Sequence, residues 1–192
     1  MNSGIRPGAP RAVRLLFTVS LLGMSGLVLA GRPGPLDLVE TLDLERYQGR
    51  WYQIALLPNR FQDQCVGETS AEYTLLDNGR VRVVNRCRTA GGEFEEVVGE
   101  ARRPDPGQPA KLKVRFAPKW LAWLPLVWGD YQVMALDQDY RCVLVGEPSR
   151  EFLWVLAREP SIPTERLDAL LAEARRQGFD SDRIVMSRQQ RP

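Results

Sequence analysis

From Gly49 onward, apolar and polar side chains alternate in short blocks separated by turn-forming residues. In the stretch from Lys111 to Phe116 the charged Lys111, Lys113 and Arg115 interleave with Leu112, Val114 and Phe116. Successive side chains of a strand point to opposite faces, so one face of this segment meets solvent and the other an apolar interior. The block from Arg80 to Arg88 behaves similarly, with Val81, Val83, Asn85 and Cys87 opposite Arg82, Val84, Arg86 and Arg88. Eight such blocks are read as strands, at residues 51–57, 69–76, 80–88, 94–101, 111–117, 131–137, 141–147 and 151–157. Asp77-Asn78-Gly79 between the second and third is a hairpin turn, because Asn and Gly accept the positive backbone angles it needs. Eight strands close a small barrel around an interior. The expectation is an all-β fold, an eight-stranded antiparallel up-and-down barrel.

After the eighth block the period changes. Leu167, Leu170, Leu171 and Ala174 recur at helical spacing after Ser161-Ile162-Pro163-Thr164, and Gly178 supplies a stop. This predicts one C-terminal amphipathic α-helix packed outside the barrel, followed by a short return strand over Ile184–Ser187. The N-terminus reads differently. Arg6, Arg11 and Arg14 precede an uncharged run from Leu15 to Ala30 that ends in Val28-Leu29-Ala30, the pattern of a secretory signal. An uncleaved N-terminal anchor is the competing reading. The domain expectation is a signal over residues 1–30, a linker over 31–37 and the barrel with its helix over 38–192.

Composition narrows the chemistry. The chain of 192 residues has 26 Lys and Arg against 24 Asp and Glu. Removing residues 1–30 takes three arginines and no acids, leaving 23 against 24 and a net charge of −1. That balance argues against a nucleic-acid binder, whose affinity rests on phosphate neutralisation. No histidine is present. The usual general base, the usual zinc ligand and every Ser-His or Cys-His nucleophile are therefore missing, and neither a metal nor a cofactor is expected. The three cysteines, Cys65, Cys87 and Cys142, allow three pairings. Cys65 with Cys87 is favoured, since a hairpin return brings the two to one end of the sheet, leaving Cys142 free. Three buried, inert thiols are the alternative.

Gly49-Arg50-Trp51-Tyr52 at the start of the first strand matches the G-x-W signature of lipocalins. The segment Leu136 to Tyr140 resembles their second conserved block, and Arg158 matches the arginine after the last barrel strand. In order, over eight strands and a helix, these motifs identify a resemblance to the lipocalin family from about Leu38 onward. It is closest to the bacterial outer-membrane lipocalin group through residues 58–61, 83–87, 130–137 and 152–160. Members of that group are lipid-anchored through an N-terminal cysteine; no cysteine lies near the cleavage region here, so anchoring is not carried over.

The resemblance implies a structural role for Gly49, Trp51, Asp139, Tyr140 and Arg158. Trp51 would plug the closed end under the Arg158 guanidinium, while Asp139 and Tyr140 close a turn beside it. Alternation and the family template together place Ala55, Tyr73, Asn85, Val97, Leu112, Val114, Phe116, Tyr131 and Trp154 inward as ligand-contact candidates. For the apolar ones, plain barrel filling competes with ligand contact. Residues 117–130 hold Trp120, Trp123 and Trp128, three of the five tryptophans, and form a mouth loop suited to peripheral membrane contact or a lid. A loop folded into the core, or a homodimer contact, is the plainer reading. The expected function is binding, storage or transport of a single-chain lipid, a fatty acid or lysophospholipid, in the periplasm, associated with the outer membrane, with no catalysis. A protein-interaction module using the tryptophan loop and a lipid isomerase using Cys142 are the alternatives.

Overall fold

The computed structural model describes Met1 and residues 34–190. The chain divides into two units, Met1–Arg32 and Pro33–Pro192. The expected secretory segment lies outside the described residues, and the barrel belongs to the second unit.

A one-turn helix, α1 (Leu44–Tyr47), precedes eight strands: β1 (Gly49–Leu56), β2 (Cys65–Leu75), β3 (Val81–Thr89), β4 (Phe94–Arg102), β5 (Lys111–Arg115), β6 (Gly129–Leu136), β7 (Cys142–Gly146) and β8 (Leu153–Ala157). Helix α2 (Thr164–Arg176) and a two-residue strand, β9 (Val185–Met186), complete the fold. Consecutive strands pair antiparallel from β2 to β8; β8 pairs with β1, and β1 pairs with β2 to close the ring. β1 leaves β2 partway, and β9 pairs with β1 at Ala55 and Leu56 instead. The C-terminal segment then bridges the gap, through Ser187 N–H to Ile54 O at 2.9 Å, Glu68 N–H to Arg188 O at 2.7 Å, and the Gln189 carboxamide donating to Gln53 O and Thr69 O. The return strand expected over Ile184–Ser187 is thus the piece that fills the seam.

Two apolar layers result from the alternation. The inner one joins Trp51, Tyr73, Val83, Leu112, Val133, Val143, Val145 and Leu156 inside the barrel. The outer one joins Ile54, Met134, Leu144, Leu153 and Val155 to Leu170, Ala174 and Phe179 on and beyond α2. Strand β7 is buried on both faces, with Val143 and Val145 inside and Cys142 and Leu144 in the outer layer. Beyond the end of α2 and its capping residue Gln177, Gly178 adopts a φ of +87°, which fits the glycine stop expected there.

Two expectations are corrected. Ala55 belongs to the outer layer, because the register of β1 against β8 slips between Gln53 and Ala55 and one extra residue inverts the parity beyond it. Leu56, paired with Trp154, takes the inward side in its place. Residues 34–37 of the expected linker are docked on the barrel: Leu36 is buried in the outer layer, Arg150 donates to Gly34 O at 2.7 Å, and Gln177 bonds the backbone of Asp37 in both directions.

Candidate functional site

The closed end is built around Trp51, which is fully buried and donates from Nε1 to Tyr47 O at 2.9 Å. The Arg158 guanidinium lies 4.0 Å from the centre of the indole ring and donates to three carbonyls, those of Tyr140, Arg50 and Arg46. An arginine can do this because its five N–H groups form a fixed planar fork. Gly49 adopts φ +89°, and a side chain at this position would meet Arg158 at 3.3 Å. Tyr140 bonds the backbone of Asp43 through its hydroxyl and lies under Arg46. The neighbouring turn is held by Asp137, whose Oδ1 accepts from the backbone N–H of both Arg141 and Cys142. Asp139 is exposed.

Directly inside this plug sits a polar node. The Tyr131 hydroxyl is 2.7 Å from that of Tyr47 and 3.0 Å from that of Tyr73. Tyr47 packs its ring 4.9 Å from that of Trp51. Burial pushes the phenols of all three well up, Tyr73 to about 12. Strand alternation puts Tyr73 and Tyr131 inside but misses Tyr47, which precedes the first strand. The available signal is the cap of its one-turn helix, Asp43, whose carboxylate accepts from Glu45 and Arg46 N–H.

Toward the opposite end the inner face opens. Leu112 and Tyr73 are buried, whereas Val114, Tyr131, Asn85 and Trp154 are only partly so. Asn85 stands opposite Ala71 and Val97, on the inward side. Strand β4 pairs with β5 only over Glu100–Arg102, so its first half projects past the end of its neighbour and Val97 is 47% exposed. Phe116 lies over the inner side of Gly99, where any side chain would collide with its ring, and is 38% exposed. The rim is aromatic: Phe61, Phe152 and Trp154 form a chain of ring contacts at 5.7 and 6.1 Å. Trp154 also donates from Nε1 to Gln62, which bonds Gln53, which in turn bonds Ser187. This glutamine relay borders a cleft of about 240 Å³ beside the C-terminal strand, lined by Leu56, Asn59, Thr69 and Met186 among others. Its parts are separate in sequence, and no local pattern announces them.

The Cys65–Cys87 disulfide joins β2 to β3 at this same end, with Cα atoms 5.5 Å apart. Cys142 is free and buried in the outer layer, away from the interior; burial and the nearby Asp137 carboxylate push its thiol up. A raised thiol in an apolar layer is a poor nucleophile.

The loop between β5 and β6 divides its tryptophans. Trp120 and Trp123, on and beside a 3₁₀ turn at Lys119–Leu121, are 74% and 76% exposed, and Leu126 in a second turn is 96% exposed. Trp128 departs from the expected membrane-facing set. It is buried, donates to Ala122 O at 2.8 Å, and carries Arg102 and Arg115 over its ring at 4.3 and 5.2 Å. The indole fixes the loop to the barrel wall, since cations bind well to a tryptophan face.

A closed antiparallel barrel with a plugged floor, an open apolar mouth and an external helix defines a ligand-holding β-barrel. The lipocalin-like domain model matches residues 42–189, and the chain belongs to the lipocalin family, whose members bind small hydrophobic ligands and are in general binding or transport proteins, not enzymes. Temperature-induced lipocalin-1 of Arabidopsis thaliana is 39% identical over 151 residues, covering 78% of this chain and 80% of the relative. Outer membrane lipoprotein Blc of Escherichia coli is 34% identical over 182 residues, covering 92% and 98%. Among solved structures, insecticyanin from the tobacco hornworm Manduca sexta superposes with a TM-score of 0.64 at 20% identity, covering 82% of this chain and 86% of that one.

Proposed function

We propose that the protein carries one single-chain lipid, a fatty acid or lysophospholipid, in the mouth half of its barrel, within the bacterial cell envelope, and catalyses nothing. The observation that carries this reading is the gradient of burial along the inner face. The floor is filled by its own side chains, while Val97, Phe116, Val114 and Trp154 leave apolar surface open toward the mouth. Each buried methylene contributes about 0.8 kcal/mol before association costs, so an acyl chain needs no charged clamp to bind. Asn85, with a neutral carboxamide among valines, is the polar contact this surface offers a head group. Trp120, Trp123 and Leu126 give the mouth a surface suited to the headgroup level of a bilayer, where amphipathic indoles are stable, and this would place the opening against the lipid source. The similarity to an outer membrane lipoprotein supports the envelope setting.

Titration with oleate and with lysophosphatidylcholine, followed by tryptophan fluorescence, tests the reading. Val97→Asp, at an exposed position, should weaken both by about tenfold, since a carboxylate on the acyl path must be desolvated, and should leave the melting temperature unchanged. Equal affinity in the variant would remove the lipid from this face.

A further inference from the structure

The floor of the lumen holds more hydrogen-bond donors than it uses. Tyr47, Tyr73 and Tyr131 carry three phenolic hydrogens, and among the described residues their hydroxyls make two contacts, both through Tyr131. Each contact consumes one hydrogen, so one remains over whichever way the hydroxyls turn. Tyr47 and Tyr73 are buried, whereas Tyr131 is only partly so. An orphaned donor is costly where water is absent, so the favourable arrangement has both buried phenols donating to Tyr131. In that arrangement the hydrogen left over is the one on Tyr131. Burial keeps the phenols protonated throughout neutral pH, so that hydrogen is permanently available.

We infer that the lumen ligand bears a neutral oxygen acceptor, a carbonyl or a hydroxyl, at its inserted end, and that Tyr131 donates a hydrogen bond to it. This rests on the carrier reading and narrows it: the chain occupying the mouth half reaches down to the partly exposed Tyr131 at the upper edge of the filled floor, and it carries a keto or hydroxyl oxygen at the end remote from the head group beside Asn85. A carboxylate fits the position poorly. The guanidinium of Arg158 is committed to three backbone carbonyls around Trp51, and a charge at the floor would rely on one neutral donor. A neutral acceptor needs only that donor. The inner face above it, with Leu112 and Val114, then meets the hydrocarbon.

The test compares 2-nonanone with 2-methyl-1-nonene, in which C=CH2 replaces C=O and shape is kept. On binding, the infrared carbonyl band of the ketone should fall below its position in hexane, and the ketone should bind about three- to tenfold more tightly than the alkene relative to their partition into hexane. Tyr131→Phe should abolish both effects; the double variant Tyr47→Phe/Tyr73→Phe, which keeps the Tyr131 hydrogen, should retain them. Circular dichroism verifies that both variants are folded. An unshifted band with equal relative affinities overturns the inference while leaving the carrier reading intact, and a shift that persists in Tyr131→Phe overturns the assignment to Tyr131. Failure of both probes to bind, with oleate and lysophosphatidylcholine also failing, overturns the carrier reading and this inference together.

Discussion

At the scale of single residues, Arg158 and the tyrosine node carry the sharpest expectations. Arg158→Ala would leave the carbonyls of Arg46, Arg50 and Tyr140 without their side-chain donor and remove the cation from the Trp51 face. A loss of about 3 kcal/mol in urea unfolding is expected, with oleate affinity at the far end unchanged. The phenols give a pH dependence whose sign is fixed by the direction of their shifts. Tyrosine ionises by losing a proton, and burial raises its folded pKa above the unfolded value near 10. The folded state therefore holds those protons more tightly. Their contribution is fully present below pH ~10 and is lost as pH rises toward the folded value, about 12 for Tyr73. For Tyr73 alone this is about 3 kcal/mol, and Tyr73→Phe should flatten part of the slope of unfolding free energy between pH ~9 and ~12. The motif residues at this end are legible in sequence because each performs a local, recurring job. The tyrosine node is legible only in part: Tyr73 and Tyr131 follow strand parity, whereas Tyr47 arrives from outside the strand pattern on α1. Asp137 stands in the second conserved block beside Asp139, and only the fold shows which of the two carboxylates points back at the backbone.

At the scale of elements, period alone places all eight strands and α2. It cannot place side chains beyond a slip in pairing. The bulge in β1 is invisible in the string of residues Gln53, Ile54 and Ala55, all compatible with a strand, yet it moves Ala55 to the outer layer. The loop after β5 shows a related limit. Composition marks Trp120, Trp123 and Trp128 alike, whereas Arg102 and Arg115, on two different strands, select Trp128 for burial. The Cys65–Cys87 bridge closes a segment with a sequence separation of 22, so the Cys65→Ser/Cys87→Ser variant should lose about 3 kcal/mol of stability. Leu170→Ala should cost about 2–4 kcal/mol by opening a cavity between α2 and the outer layer, without altering the inner face. Guanidinium unfolding with ligand titration on the same samples separates the two effects.

At the scale of the whole molecule, one end is committed to stability and the other to exposure. Arg158, Trp51 and the tyrosines lock the floor, and α2 covers one side of the wall. The mouth leaves apolar surface open, with Val97 and Phe116 on the inner face and Trp120 and Trp123 exposed on the loop beside it. If that surface serves a bilayer, the Trp120→Ala/Trp123→Ala variant should lose flotation with phosphatidylglycerol-containing vesicles while keeping its affinity for oleate in solution. Persistent flotation would assign the exposed indoles to another contact.

The most direct test of the carrier reading is native mass spectrometry of the protein purified from its own cells without detergent, followed by extraction and identification of whatever it holds. A single-chain lipid bound one to one, displaced by added oleate, is the predicted result. An empty barrel that also fails to take up oleate or lysophosphatidylcholine would contradict it.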